Sequence, residues 1–372
     1  MKKARVLIVD DAALIRRIIT DALSAEPTIE VAGEAEDGRT ALLRIAQLKP
    51  DLVTLDIELP GMNGLETLRE IRKTYPRLPV IMFSAFTERG AADTLEALHN
   101  GASDYVTKPS SAAGKAVAKE RIWQDLIPKI RSLCRVGPGL VPGAPGAAPK
   151  PFSMRPLGTA TRADAVAIAV STGGPAALTT IFSKLRTDFP APIFVVQHMP
   201  TMFTRLLAER LDGQTPLSVV EAAEGTPVRP GTVYVAPGDA HLTVQRRGSD
   251  IVTALSQSPP EHGRRPAADV LFRSVADTYR AHALGLVLTG MGEDALAGSQ
   301  QIARAGGRIV VQDEATSTVW EMAGRIVGSG LSDAVLPIGD MAAELVRRTS
   351  PSGSVDIAAA ASGRVRQVTQ ST

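Results

Sequence analysis

Cysteine is almost missing from this chain: its 372 residues hold one, Cys134. A single thiol excludes an internal disulfide and a cysteine-built metal cluster, and it fits a reducing compartment. An excess of charge of either sign is also missing. Lys and Arg total 41 against 39 for Asp and Glu, so composition supplies no basic footprint for a nucleic-acid partner. No uninterrupted stretch approaches the ~18 apolar residues of a membrane span. The opening Met1-Lys2-Lys3 runs into VLIVDDA, where Asp10 and Asp11 cut the apolar stretch too early for a signal peptide. These absences exclude a secreted scaffold and a membrane-inserted protein, and the expected location is the cytoplasm. With 44% hydrophobic and 22% charged residues, what remains is an ordinary globular chain. Its length favours two domains at roughly 100–200 residues each.

A second absence marks the boundary. No acidic residue stands between Asp125 and Asp164, and the segment from Arg135 is dense in Gly, Pro and Ala. Such a stretch cannot bury a core, so the chain divides into domains over 1–134 and 164–349, a linker over 135–163 and a disordered tail over 350–372. The first domain alternates short apolar runs (RVLIVD, IEVAGEAE, DLVTLDIEL, PVIMFSA, DYVTKP) with helical spacings. That alternation predicts a doubly wound, five-stranded parallel α/β sheet. The second domain repeats the style with AVAIAVS, PIFVVQH, TVYVAPG, LGLVLTG and GRIVVQD. It reads as doubly wound, mostly parallel α/β, with an antiparallel hairpin formed by TVYVAPGDAHLTVQRR and DIVTALSQ.

Ligands of open parallel sheets sit beyond the carboxyl ends of the strands. In the first domain those ends carry Asp10 and Asp11, Asp56, Ser84 and Lys108. Taken singly, each Asp reads as a solvated strand end or a helix cap. Together, three converging carboxylates call for a hard cation, and Mg²⁺ suits an oxygen-only site. Asp56 is then the nucleophile toward a phosphoryl donor, with Ser84 and Lys108 contacting the phosphoryl oxygens.

In the second domain AVAIAV ends in Ser171-Thr172-Gly173-Gly174-Pro175 and a helix follows. Ser171 lies beside a helix N-terminus, where free N–H groups favour an oxyanion; the plainer reading is an N-cap. A nucleophile needs a base, and the base needs an orienting group. His198 follows the next strand and emerges at the same edge, His241 is the second candidate, and Asp294 follows the strand LGLVLTG. A rival reading takes Gly290-Met291-Gly292-Glu293-Asp294-Ala295, with Asp313 some 20 residues on, as a dinucleotide fingerprint. Too few strand–helix units follow it to build a nucleotide-binding half, so no cofactor is expected in this domain.

The stretches VLIVDDAALIRR, DLVTLDIELPGMNGLE, IMFSA and GASDYVTKP resemble the receiver domain of two-component response regulators. The resemblance implies that Asp56 is the phospho-acceptor, with Mg²⁺ on Asp10, Asp11 and Asp56. It also implies that Ser84 is a switch hydroxyl, Tyr105 a switch aromatic and Lys108 part of the phospho-switch; a packed strand aromatic is the alternative for Tyr105. The stretches AVSTGGPAAL, PIFVVQHMP, VYVAPGDAHL, RRPAADVLFRSVA, LVLTGMGEDA and VVQDEATSTVWEM resemble the catalytic domain of the chemotaxis protein-glutamate methylesterase (CheB) family. This resemblance implies Ser171, His198 and Asp294 as the triad, and puts Thr172 and the Met291 N–H near the oxyanion. It implies a phosphorylation-activated esterase acting on methylated chemoreceptors, with glutamine deamidation as a further activity, a chemotaxis-type histidine kinase as phosphodonor, and no nucleic-acid partner. Two positions depart from the family pattern: Ala295, usually Gly, and the run Trp320-Glu321-Met322-Ala323-Gly324. The alternative from another class is a phosphorylation-dependent docking module without catalysis.

Overall fold

In the computed structural model, residues 3–85, 87–108, 115–137 and 162–350 are described, with backbone alone at 115–119 and 121–122. The expected tail beyond 350 and nearly all of the expected linker lie outside them.

The first half runs β1 (Ala4–Val9), α1 (Ala13–Ser24), β2 (Ile29–Ala35), α2 (Gly38–Leu48), β3 (Leu52–Asp56), α3 (Gly64–Thr74), β4 (Val80–Ser84), α4 (Glu88–His99), β5 (Asp104–Thr107) and α5 (Lys115–Cys134). Its strands form one sheet in the order β2-β1-β3-β4-β5, and every pairing is parallel. Period-two alternation explains the two layers. Val6, Ile8, Leu52, Ile81 and Phe83 pack with Ile19 and Leu23 of α1 and Leu126 and Ile130 of α5. Leu7, Val9, Val53, Leu55 and Met82 face the opposite way.

The second half runs β6 (Ala165–Val170), α6 (Gly174–Phe182), β7 (Ile193–Gln197), α7 (Thr201–Gln214), β8 (Ser218–Glu221), β9 (Thr232–Val235), β10 (His241–Arg247), β11 (Asp250–Ser256), α8 (Ala268–Tyr279), β12 (Ala283–Val287), α9 (Leu296–Arg304), β13 (Arg308–Gln312), α10 (Glu321–Gly328), β14 (Ala334–Leu336) and α11 (Met341–Thr349). Seven strands form a sheet in the order β14-β13-β12-β6-β7-β9-β8, while β10 and β11 pair antiparallel as a separate ribbon. The large sheet is wholly parallel. Edge strands β8 and β14 were harder to see in sequence because each is only three or four residues long. The chain enters at β6, winds outward through β7, and returns to β12 on the other side. Its direction therefore reverses beside β6, and that crevice is where such sheets bind ligands.

The cores join. The apolar layer of Leu7, Val9 and Met82 continues without a break into Val166, Ile168, Phe182 and Phe203 of the second half. The other face of the large sheet packs Ala167 and Phe194 with Leu271 and Phe272 of α8 and Met322 and Ile326 of α10. Helices α8 and α9 come together at Gly298, where an added Cβ would lie 2.4 Å from Phe272 Cβ and 3.1 Å from Asp269 Cα. Gly298→Ala should therefore force α8 outward and lower stability by about 1–3 kcal/mol, the usual cost of overpacking. Thermal unfolding of the variant against wild type checks this; an unchanged midpoint would show that the helices can separate freely.

Candidate functional site

The three residues named from strand ends in the second half converge, because β12, β6 and β7 are neighbours. Ser171 follows β6 directly. Its N–H donates to the Thr289 carbonyl at 3.0 Å, and its carbonyl accepts from Gln197 Nε2 at 3.0 Å. The turn after it is built on Gly173, with φ +81 and a virtual Cβ 2.4 Å from Thr318 Oγ1, so no side chain fits there. His198 is the first residue beyond β7, and its N–H reaches the Val170 carbonyl at 3.3 Å. Its Nε2 lies 2.8 Å from Asp294 Oδ2, while Nδ1 is buried without a hydrogen-bond partner.

Asp294 is the best-held group in the site. Oδ2 also accepts Ala268 N–H at 2.6 Å, and Oδ1 accepts Asp269 N–H and Ala295 N–H, each at 2.9 Å. Two of those donors open α8, whose N-terminal dipole favours an anion. Burial alone would raise the carboxyl pKa. The His198 hydrogen bond and charge and these N–H donors outweigh it and hold the group down at about 2. Burial lowers the His198 pKa below its ordinary value, with Asp294 opposing and the Arg264 cation adding to the fall. A permanently ionised acceptor on Nε2 fixes the tautomer that leaves Nδ1 as a lone pair. Ser171, His198 and Met291 share an enclosed cavity of about 40 Å³, room for water but not for a substrate side chain. The Met291 N–H has no acceptor among the described residues, and Gly290 sits tight against Ser171, its virtual Cβ 2.9 Å from Ser171 Cβ.

His241 is elsewhere. It is fully buried, with Nδ1 accepting Ala267 N–H at 3.1 Å and Nε2 3.2 Å from the Pro259 carbonyl, which is a structural role. Asp313 closes its own turn on Thr316 N–H at 3.1 Å instead of facing a ribose site. Ala295 adopts φ +81, the left-handed conformation that favours glycine. Gln197 was missed, although one polar residue ending the run IFVVQ was a visible signal.

In the first half, ligand oxygens of Asp10, Asp11 and Asp56 come within 4.8 Å of one another. Lys108 Nζ lies 2.6 Å from Asp56 Oδ2 and 3.0 Å from Asp10 Oδ2. Asp10 Oδ2 is buried and accepts no hydrogen bond; its charge is met by the Lys108 ion pair. Asp56 Oδ1 accepts Glu58 N–H at 3.2 Å. Burial raises the Asp56 pKa to about 6, with Lys108 opposing and Asp10 adding to the rise. An oxygen-only cluster that includes a buried carboxylate oxygen accepting no hydrogen bond fits a hard divalent cation. Ser84 ends the adjacent strand but is turned toward α4, donating to the Gly90 carbonyl at 2.8 Å.

The two sites meet across the junction of the halves. Tyr105, buried on β5, stacks on Phe203 of α7 with centroids 4.7 Å apart and planes at 18°. Its neighbour Asp104 accepts a hydrogen bond from the Thr172 hydroxyl, beside Ser171. Lys129 Nζ holds Asp104 Oδ1 at 3.0 Å. Helix α4 packs on α6 and α7, and Leu98 joins Asp104 and Tyr105 in closing the Ser171 cavity. Sequence reasoning did not nominate Asp104, Lys129 or Phe203. Beside them a cleft of about 480 Å³ between the halves reaches His198 and Met291.

Known proteins carry the same pair of units. The CheB methylesterase family matches residues 166–345 and the response regulator receiver domain family residues 6–116. A protein-glutamate methylesterase/protein-glutamine glutaminase of Trichodesmium erythraeum (strain IMS101) is 46% identical over 353 residues, covering 94% of this chain and 99% of its own. One from Nocardioides sp. (strain ATCC BAA-499 / JS614) is 46% identical, covering 94% and 96%. The solved catalytic domain of Thermotoga maritima CheB methylesterase is 38% identical, with a TM-score of 0.49, covering 50% of this chain and 99% of that one.

The His198–Asp294 pair makes a direct prediction. Asp294→Asn removes the charge that favours imidazolium, so the His198 titration midpoint should fall by about one to three pH units. An NMR titration of the ring measures it, and an unmoved midpoint would mean that the pair is not electrostatically coupled.

Proposed function

The chain belongs to the CheB family of protein-glutamate methylesterase/protein-glutamine glutaminases, and from that premise we propose how its two sites divide the work. It is a receiver-regulated carboxylic ester hydrolase. The substrate is the γ-methyl ester of glutamate side chains on methyl-accepting chemoreceptors, with receptor glutamines as amide substrates. The observation that carries this reading is the placement of Ser171, His198 and Asp294 on neighbouring strand ends, with the receiver laid over them. A docking module would need no such set.

In the reaction, Ser171 Oγ–H passes its proton to His198 Nδ1 while Oγ attacks the ester carbonyl carbon. Nδ1 is the free ring nitrogen, since Nε2 is committed to Asp294. The tetrahedral oxyanion is taken by the Met291 N–H, with Thr172 beside it. The carbon–methoxy bond then breaks, and the imidazolium returns its proton so that methanol leaves. Asp294 holds the ring and stabilises its charge throughout. Water, deprotonated by the same nitrogen, releases the glutamyl carboxylate and restores Ser171. A glutamine follows the same course and loses ammonia.

Regulation is assigned to the first half. Asp56 accepts the phosphoryl group from a histidine kinase of a chemotaxis-type system. Asp10, Asp11 and Asp56 would hold Mg²⁺, which neutralises charge on the group in transfer. Lys108 exchanges its contact with Asp56 for the phosphoryl oxygens, and the Ser84 hydroxyl leaves Gly90 to join it. Ser84 opens the segment leading to α4, and Lys108 lies three residues beyond Tyr105. Their rearrangement acts on the two elements that cover Ser171. The working location is the cytoplasm; among the described residues no helix is long and apolar enough to cross a membrane.

Methanol release from methylated receptor membranes, with and without acetyl phosphate, tests this. Ser171→Ala should cost roughly a thousandfold or more. Asp56→Asn should abolish the stimulation, and Tyr105→Ala should raise the unstimulated rate roughly two- to tenfold, the worth of an aromatic stack. Wild type without serine-dependent release would sink the enzymatic reading. The pH profile is a separate check. The base must be neutral, and burial puts the His198 pKa below its ordinary 6.5. Activity should therefore hold as pH falls to 6.5 and be lost only below it; a midpoint above that value would contradict the assignment.

A further inference from the structure

The segment that carries Met291 is tied down by the chain around Trp320. Gly290 N–H donates to the Val319 carbonyl at 2.9 Å, and Met322 N–H donates to the Gly290 carbonyl at 3.1 Å. These backbone bonds fix Gly290 against Ser171 but stop one residue short of Met291. The next tie is made by a side chain. Glu321, the first residue of α10, accepts Gly292 N–H on Oε2 at 3.0 Å. Gly292 has φ +100, a conformation glycine leaves readily in either direction, so an external restraint decides where the Met291–Gly292 peptides point. The other oxygen of the same carboxylate, Oε1, accepts the hydroxyl of Ser132, in the last turn of α5 of the receiver. Glu321 is half-buried, so both bonds are partly shielded from water. One carboxylate thus holds the receiver with one oxygen and the loop beside the nucleophile with the other. Arg135 adds an exposed ion pair to Glu314 at 3.1 Å on the same side.

We infer that Glu321 is a positioning residue for the hydrolysis and couples the receiver to the segment bearing the Met291 N–H. Its bond to Gly292 aims that N–H at the developing oxyanion, and its bond from Ser132 makes the receiver's docked position part of the same arrangement. When the receiver moves away, the Ser132 bond is given up and the Gly292 bond stays. The two halves of Glu321 therefore have different consequences. Ser132 serves only to hold the receiver, whereas Gly292 serves the reaction in both states. The inference rests on the esterase reading for its kinetic consequences, but the Gly292 restraint itself is independent of them.

The full-length chain tests it, with methanol release measured in the presence and absence of acetyl phosphate. Glu321→Ala should lower the stimulated kcat roughly tenfold, the scale of a lost charge-assisted hydrogen bond, with KM unchanged. Glu321→Gln keeps an acceptor for Gly292 and can donate its amide to the Ser132 oxygen, so it should restore kcat to near wild type. Ser132→Ala should raise the unstimulated rate severalfold and leave the stimulated kcat untouched. Hydrogen exchange over residues 290–294 supplies a readout that needs no catalysis. It should speed up in Glu321→Ala and not in Ser132→Ala. Should Glu321→Ala not fold, Glu321→Ser, too short to reach Gly292, carries the same expectations. A stimulated kcat within twofold of wild type, or unchanged exchange, in the folded variant would overturn the positioning role. An unstimulated rate unmoved by Ser132→Ala would overturn the coupling. Failure of the esterase reading would show instead as wild-type activity indifferent to Ser171→Ala, with the exchange result still deciding on Glu321.

Discussion

The carboxylate of Asp294 is the constraint on which the catalytic half is organised. A buried anion is costly unless its lone pairs are met. Here they are met by the first two N–H groups of α8, the N–H of Ala295 and the ring of His198. Each partner brings a requirement of its own. Helix α8 must end its approach at the strand rim, which demands the close α8–α9 contact at Gly298. The Ala295 N–H comes from a residue with a left-handed backbone, a cost of about 1–3 kcal/mol for a side-chain-bearing residue. His198 must leave β7 at the same level as the carboxylate, which follows from β12, β6 and β7 being adjacent and parallel. The strain at Ala295 is therefore offset by the anion it helps to hold.

The receiver meets the same rim without touching the hydrogen bonds of His198 and Asp294. Asp104 takes the hydroxyl of Thr172 and Tyr105 stacks on Phe203, so the cover is seated on residues next to Ser171. A charge-assisted hydrogen bond and an aromatic stack together contribute about 2–4 kcal/mol. Moving a two-state equilibrium from mostly closed to mostly open takes about 5.5 kcal/mol. A phosphoryl group on Asp56 that draws Lys108 and Ser84 toward itself, as proposed, would work against contacts of that size. The continuous apolar layer between the halves sets the other bound, because complete separation would expose it. Displacement along that layer suits these magnitudes better than full dissociation.

Much of this was legible in the chain because parallel sheets put chemistry at strand ends. Asp10, Asp56 and Ser171 each follow an apolar run directly, Lys108 and His198 stand one polar residue beyond one, and adjacency in the sheet did the rest. Asp294 was legible for the same reason, although it stands seven positions beyond the end of β12. What stayed hidden has a common physical origin. The pairings of Tyr105 with Phe203, Asp104 with Thr172 and Ser132 with Glu321 join segments about 70 to 190 residues apart. No periodicity or local propensity encodes such contacts, since they depend on how two finished domains dock. Ser84 was placed correctly at its strand end, but the direction of its hydroxyl toward Gly90 depends on α4 and not on the strand.

Ser132 and Tyr105 reach the catalytic half from the receiver's last two elements, and this bears on how the proposed phosphorylation of Asp56 can act twice. Tyr105 sits on β5, three residues before Lys108, and lines the small cavity that holds Ser171. Ser132 sits near the end of α5, far along the chain from Asp56, and bonds a residue that shapes the rim. Both α5 and β5 pack on one another through Lys129, which bonds Asp104 and lies 5.1 Å over the Tyr105 ring. A shift of β5 therefore carries α5 with it. Access to Ser171 and release of the Glu321 contact then belong to one movement, so the site opens and its oxyanion segment is freed from the receiver in the same step.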